Sequence, residues 1–257
     1  MVAAQFLISI VLASAAITAP SAGRLASRLE RRRTGGNSQP IQRLPTPLNV
    51  NTTNTEYSSN WAGAVYDSYP AGTFTLVTGT FIVPTPTGGD GAASAWVGID
   101  GDTCGTAILQ TGLDFTISGG AVSYDAWYEW FPDYAYDFSG ISFSSGDTVT
   151  VTVTASSTTS GSAVIKNKTT GVTVTQQITS TSALCEQNTE WIVEDFEEGG
   201  SLVGFADFGS VVFTGASATT TTGSIGPGSA TLIDIEQNNV ILTSSSVDDS
   251  SVTVMYQ

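Results

Sequence analysis

SAVIKNKTTGVTVTQQI, residues 162–178, alternates apolar and polar side chains on both sides of the turn KNKTTG. Successive residues of a strand point to opposite faces, so this is the pattern of two antiparallel strands joined by a hairpin. DTVTVTVTAS (147–156), just before it, keeps the same period of two, and TFTLVTGTFIVPTP (73–86), SVVFTGAS (210–217) and SVTVMY (251–256) share its texture. Val, Ile, Thr, Phe and Tyr dominate, broken by Gly, Ser, Asp and Pro, and no amphipathic helical window of useful length interrupts them. About ten such strands in some 200 residues predict an all-β, two-sheet antiparallel β-sandwich of the jelly-roll, concanavalin-like type.

The ends of the chain differ sharply in charge. Six of the eight basic residues (Arg24, Arg28, Arg31, Arg32, Arg33 and Arg43) precede residue 50, whereas Glu30 is the one acid there. From Asn51 onward, 2 bases face 22 acids, a formal charge of −20. Such a surface repels nucleic acid and anionic membrane, which excludes both as partners. It also repels itself at neutral pH, so the composition suits acidic surroundings.

Phe6–Leu12 is an apolar run followed by small residues suited to cleavage, and it is too short to span a membrane. Residues 1–19 therefore read as a signal peptide of a secreted, extracellular protein. Residues 20–54, basic and then Pro-rich, read as a propeptide that is removed, and 55–257 as the catalytic domain. In a secreted chain the two cysteines, Cys104 and Cys185, most simply form one disulfide. Asn51-Thr-Thr and Asn167-Lys-Thr are glycosylation sequons.

Parity within the strands shows where the polar side chains lie. In SAWVGID, Trp96, Gly98 and Asp100 oppose Ala95, Val97 and Ile99; in AILQTGLDF, Gln110 and Asp114 oppose Leu109 and Leu113. In SYDAWYEWF, Asp125, Trp127, Glu129 and Phe131 share one face, and in TEWIVEDF so do Glu190, Ile192, Glu194 and Phe196. Four strands thus pair an apolar face with one that mixes carboxylates, an amide and aromatics, which suggests a groove for an extended polymer.

The chain has no histidine. This excludes a Ser-His-Asp triad, a Cys-His pair and a histidine metal site. Two carboxylate chemistries remain open on these residues. Glu129 and Glu194 could flank a glycosidic bond, as in a retaining glycoside hydrolase, or the groove could simply bind carbohydrate. Alternatively, one carboxylate activates water against a peptide carbonyl while Gln110 stabilises the oxyanion.

SSNWAGAV (58–65), ASAWVGIDGDTC (93–104), AILQTGLDF (107–115), YDAWYEWFPDYAYDF (124–138) and ALCEQNTEWIVEDFE (183–197) resemble the fungal glutamic peptidases, or eqolisins. SLVGFADFGSVVFTGA (201–216) extends the likeness over nearly all of 57–257. The resemblance implies a two-sheet jelly roll, a secreted preproprotein, and acid endopeptidase activity on polypeptide substrates that pepstatin does not inhibit. It implies no metal or other cofactor, and a monomer is expected. Residue by residue it implies Gln110 and Glu194 as the catalytic dyad, the latter and not Glu190. The substrate groove falls on Trp96, Asp100, Asp114, Asp125, Trp127, Tyr128, Glu129, Phe196 and Glu197; Tyr128 and Glu197 depart from the parity of their neighbours.

In the mechanism that follows, a water lies between Glu194 and Gln110. Glu194 takes its proton and later passes it to the leaving nitrogen, while Asp100, Asp114 and Glu129 are expected to be largely protonated. The propeptide acts as an intramolecular inhibitor whose arginines pair with groove carboxylates near neutral pH. Neutralising Arg31, Arg32 and Arg33 should then give a zymogen with measurable activity at neutral pH; unchanged latency in a peptide-cleavage assay would contradict that pairing.

Overall fold

A computed structural model of the protein describes residues 38–45 and 55–257. The chain is all-β, and no helix occurs among the described residues. Its nine-stranded sheet runs in the order Thr55–Ser58, Thr231–Gln237, Trp61–Tyr66, Thr189–Glu194, Gly91–Ile99, Ile108–Ser118, Ala121–Phe131 and Tyr136–Asp137, with Val240–Ile241 paired beside Thr231–Gln237. The second sheet has eight strands. At its centre Thr148–Ser157 pairs with both Ser160–Asn167 and Phe74–Ile82, and Ser210–Thr220 lies beyond the latter. The hairpin expected around residue 170 forms, with Lys166 opposite Thr173. One pairing departs from the antiparallel rule: Thr55–Ser58 runs parallel to Thr231–Gln237.

The two sheets meet over one large apolar core. Ala95, Val97, Leu109, Leu113, Trp191 and Val193 enter it from the nine-stranded sheet. Val77, Phe81, Val151, Val153, Phe213 and Val254 enter from the other. Every one of these side chains sits where alternation places it, because the side-chain period is two and one face has to leave water. Core formation therefore fixes the register, and the register fixes what the opposite, outer face of the nine-stranded sheet presents.

Two local features, one beside each sheet, bear on the expectations above. Cys104 and Cys185 are disulfide-bonded across 81 residues, tying the loop after Gly91–Ile99 to the segment that leads into Thr189–Glu194. The second feature corrects the glycosylation expected at Asn167. That residue is fully buried, and its amide nitrogen donates to Ser142 O (3.1 Å) and Asp147 Oδ2 (2.8 Å). Its oxygen accepts from the backbone N–H groups of Thr169 and Thr170. Both amide hydrogens are engaged by Ser142 and Asp147, outside the turn, so in this fold the Asn167 nitrogen is buried and not presented to a glycan. Asn51, like the signal peptide and Arg31–Arg33, lies outside the described residues.

Closing a loop of this size restricts the unfolded chain. Replacing both cysteines by serine should cost about 4 kcal/mol, read as a lower urea midpoint in equilibrium unfolding, with a steeper slope because the unlinked unfolded chain exposes more surface.

Candidate active site

The outer face of the nine-stranded sheet carries a second, smaller apolar cluster: Trp61, Val65, Trp96, Ile108, Trp127 and Ile192 are all essentially inaccessible to solvent. Trp61 and Trp96 meet edge to face, with ring centroids 4.9 Å apart. A sheet face of this kind excludes water from any polar group set into it, which strengthens every electrostatic interaction there.

Three rows of paired residues cross this face. One runs Glu190, Gly98, Gln110, Glu129; the next Ile192, Trp96, Gly112, Trp127; the third Glu194, Ser94, Asp114, Asp125. Trp96 fits between the outer rows because two of its neighbours are glycines. A side-chain carbon on Gly112 would lie 2.4 Å from Trp96 Cβ, and one on Gly98 would lie 2.8 Å from Trp96 Cζ3.

Glu194 is fully buried. Its Oε2 accepts from Trp96 Nε1 (2.9 Å) and from the Ser38 hydroxyl (2.5 Å), and its Oε1 accepts from Gln39 N (3.1 Å). Burial pushes the carboxyl up to about 7, against the opposing pull of hydrogen bonds from Ser38, Gln39, Trp96 and Trp61. Ser38 N also donates to Glu129 Oε2 (3.4 Å). One residue thus touches Glu194 and the carboxylate directly opposite Gln110, so the first and third rows converge over the groove. Gln110 is itself fully buried, and neither its Nε2 nor its Oε1 has a hydrogen-bond partner among the described residues.

Asp114 and Asp125 stand opposite each other and, with Phe196, line a cleft of about 600 Å³. Asp114 accepts from the Ser94 hydroxyl (2.7 Å), which in turn accepts from Trp127 Nε1 (3.0 Å). Gln110, Glu194, Trp96, Asp114, Asp125, Trp127, Glu129 and Phe196 therefore all belong to one face or its cleft.

Three expected groove residues have other work. Asp100 closes its strand with φ of 70°, which turns the carboxylate inward. It accepts four backbone N–H bonds, from Cys185, Glu186, Gln187 and Asn188, at 2.7 to 3.2 Å. It is a loop anchor, and burial raises its carboxyl above the ordinary range against the pull of these four donors. Tyr128 obeys strand alternation and points to the core side, packed against Tyr136 and Phe138. Glu197 lies past the end of Thr189–Glu194, in the short hairpin Glu197–Glu198 and Ser201–Leu202, where it accepts from Gln42 Nε2 (3.1 Å). That hairpin is why its parity differs.

Sequence reasoning missed Trp61, Ser94 and Glu190. It also missed how residues 38–45 occupy the face. Trp61 Nε1 donates to Gln39 O (3.0 Å), Gln42 N to Asn60 Oδ1 (2.8 Å), and Ile41 N to Gly101 O (3.1 Å). Arg43 pairs with Asp102 (2.6 Å), with Asp67 (3.3 Å) and with Glu56. Against the cost of half-burial, Asp102 and Asp67 raise the guanidinium above its usual value.

The sequence pattern of the Peptidase A4 family matches residues 59–256. The chain belongs to the peptidase A4 family, the glutamic peptidases. Its relatives include aspergillopepsin-2 of Aspergillus niger, 50% identical with 96% of each chain covered. Scytalidopepsin B of Scytalidium lignicola is 41% identical, with 98% of each covered. Among solved structures, scytalido-glutamic peptidase with a transition state analog inhibitor superposes with a TM-score of 0.72 at 44% identity, covering 77% of this chain and 98% of that one. Aspergilloglutamic peptidase from Aspergillus niger does so at 0.63 and 61%, covering 65% and 99%. Membership in a peptidase family replaces the glycosidase and carbohydrate-binding readings of the groove.

As a loop anchor, Asp100 should show its effect in stability. Asp100→Asn turns an amide N–H toward backbone donors, so we expect a loss of about 2–4 kcal/mol in urea unfolding with little change in KM.

Proposed function

We propose that the chain is a secreted acid endopeptidase in which Glu194 activates water, Gln110 stabilises the oxyanion, and residues 20–54 are a removable inhibitory propeptide. The observation that carries this reading is the pairing of a desolvated Glu194 with a buried, unpartnered Gln110 amide on one dry face.

The value of about 7 for Glu194 belongs to a groove filled by Ser38 and Gln39. Departure of that segment readmits water, removes much of the burial, and moves the carboxyl back toward its ordinary range. Ionised, Glu194 takes a proton from water as the oxygen attacks the scissile carbonyl. The Gln110 NH2 group then donates to the oxyanion, a contribution of roughly 3–4 kcal/mol for one such donor. Glu194 returns the proton to the nitrogen as the C–N bond breaks. Trp96 Nε1, already bonded to the carboxylate, holds it in place throughout. No aspartate dyad takes part, so pepstatin should not inhibit. All of these groups come from one chain, and a monomer suffices.

In the filled groove the Ser38 hydroxyl donates to Glu194, the group to which the attacking water would bond. The sign of pH control follows from two titrations that oppose each other. Because Glu194 is raised in the filled groove, its protonation favours the filled state, and that contribution is lost as pH rises through about 7. The Arg43 ion pairs act in the opposite sense, since an ion pair holds the segment only while both of its members are charged. Acid release therefore rests on Arg43, the described cation at this face, with three carboxylates against one.

Two tests follow. At about pH 3, where carboxyls are mostly protonated, the acid-matured wild type should cleave acid-denatured protein with pepstatin present. Gln110→Ala should lower kcat by about 10²–10³-fold, and Glu194→Gln should abolish turnover; cleavage by either variant at wild-type rates would contradict the assigned dyad. Separately, Arg43→Gln should move the onset of activity of the full-length chain to higher pH. An onset unchanged from the wild type would remove Arg43 from the latch.

A further inference from the structure

Glu190 is a second fully buried carboxyl on the groove face, and the mechanism above does not use it. It lies in the same row as Gln110, with Gly98 alone between them. A side-chain carbon on Gly98 would lie 2.5 Å from Glu190 Oε1 and 3.4 Å from Gln110 Cβ. The carboxyl and the base of the glutamine side chain thus crowd the same point, and the absence of a side chain on Gly98 is what lets them. Neither Glu190 oxygen has a hydrogen-bond partner among the described residues, and the same holds for both polar atoms of Gln110.

Four buried polar atoms without partners among the described residues, on two residues of one row, are costly to stability and need an explanation. A leucine would fill the Glu190 site without that cost. Burial, then the charges of Asp100 and Asp102, push the Glu190 carboxyl well above the ordinary range. The protonated form is therefore favoured, and that form is a donor as well as an acceptor. An amide that is to present its NH2 end to an oxyanion needs a donor on its oxygen, since nothing intrinsic to the amide selects one orientation over the other. Catalytic hydrogen bonds of this kind tighten when substrate binds.

We propose that Glu190 is a positioning residue for Gln110, donating its carboxyl proton in a hydrogen bond to the Gln110 amide oxygen and so directing the NH2 group to the oxyanion. The proton is shared and not transferred. Polarisation through the amide also makes the NH2 group a stronger donor. This role rests on the assignment of Gln110 above.

The test compares wild type, Glu190→Leu and Glu190→Gln, each expressed as the full chain and matured in acid. Glu190→Leu should lower kcat at least tenfold, leave KM within twofold, and raise the thermal midpoint, because an apolar group replaces two unpartnered oxygens. Glu190→Gln keeps a donor in place and should recover most of the lost kcat. A folded Glu190→Leu with wild-type kcat would overturn the proposal, as would a Glu190→Gln no better than Glu190→Leu. A lowered midpoint with proportionate loss of kcat and KM effects would also overturn it, by assigning Glu190 to packing. Absence of cleavage by the wild type itself would instead overturn the peptidase mechanism, and the Glu190 role with it.

Discussion

The burial of the Glu194 carboxyl among indole rings is the constraint on which the rest depends. Taking a carboxylate out of water is expensive unless donors replace the lost hydration. Here the donors are Trp96 Nε1 and, in the filled groove, Ser38 and Gln39. To hold such a group, one sheet has to be dry on both faces. The inner face achieves this by packing on the second sheet, and the outer one through Trp61, Trp96, Trp127 and Ile192. The sandwich is therefore a stability platform on one side and a low-dielectric reaction surface on the other. The disulfide and the Asp100 anchor brace the sheet end nearest the Glu190–Gln110 row.

The charge asymmetry of the chain acquires a physical role in this setting. An acidic body with 2 bases against 22 acids needs a cation to be quiet at neutral pH. Arg43 supplies one between Asp67, Asp102 and Glu56, at the point where residues 38–45 leave the groove. In the proposed latch, protonation of Glu194 favours the filled groove, so opening in acid would depend on the carboxylates engaged by Arg43 and not on Glu194.

Much of this was legible in the sequence, because alternation in a half-buried strand is a consequence of geometry. Parity alone placed Trp96, Gln110, Asp114, Asp125, Trp127, Glu129 and Glu194 on one face, and the structure puts them there. Where other positions failed, local backbone overrode the pattern. Asp100 has the right parity but a positive φ, which no periodicity reveals. Tyr128 was assigned to the groove by resemblance, whereas its own parity gave the correct, inward direction. Glu197 belongs to a separate hairpin, and the Asn167 amide is buried with its nitrogen donating to Ser142 and Asp147. Glu190 was placed on the correct face and passed over because its neighbour Glu194 matched the family's catalytic position. Ser94 gave no signal, since a serine earns its role only through the two partners that the fold brings to it.

The most direct test is an isotope-edited infrared titration of the Glu194 carboxyl, assigned by difference against Glu194→Gln, in the full-length chain and after removal of residues 1–54. The account predicts a protonation midpoint near 7 with the groove filled and a lower one once it is open. A midpoint in the ordinary carboxylate range in both forms would contradict the desolvation on which the mechanism and its latch are built.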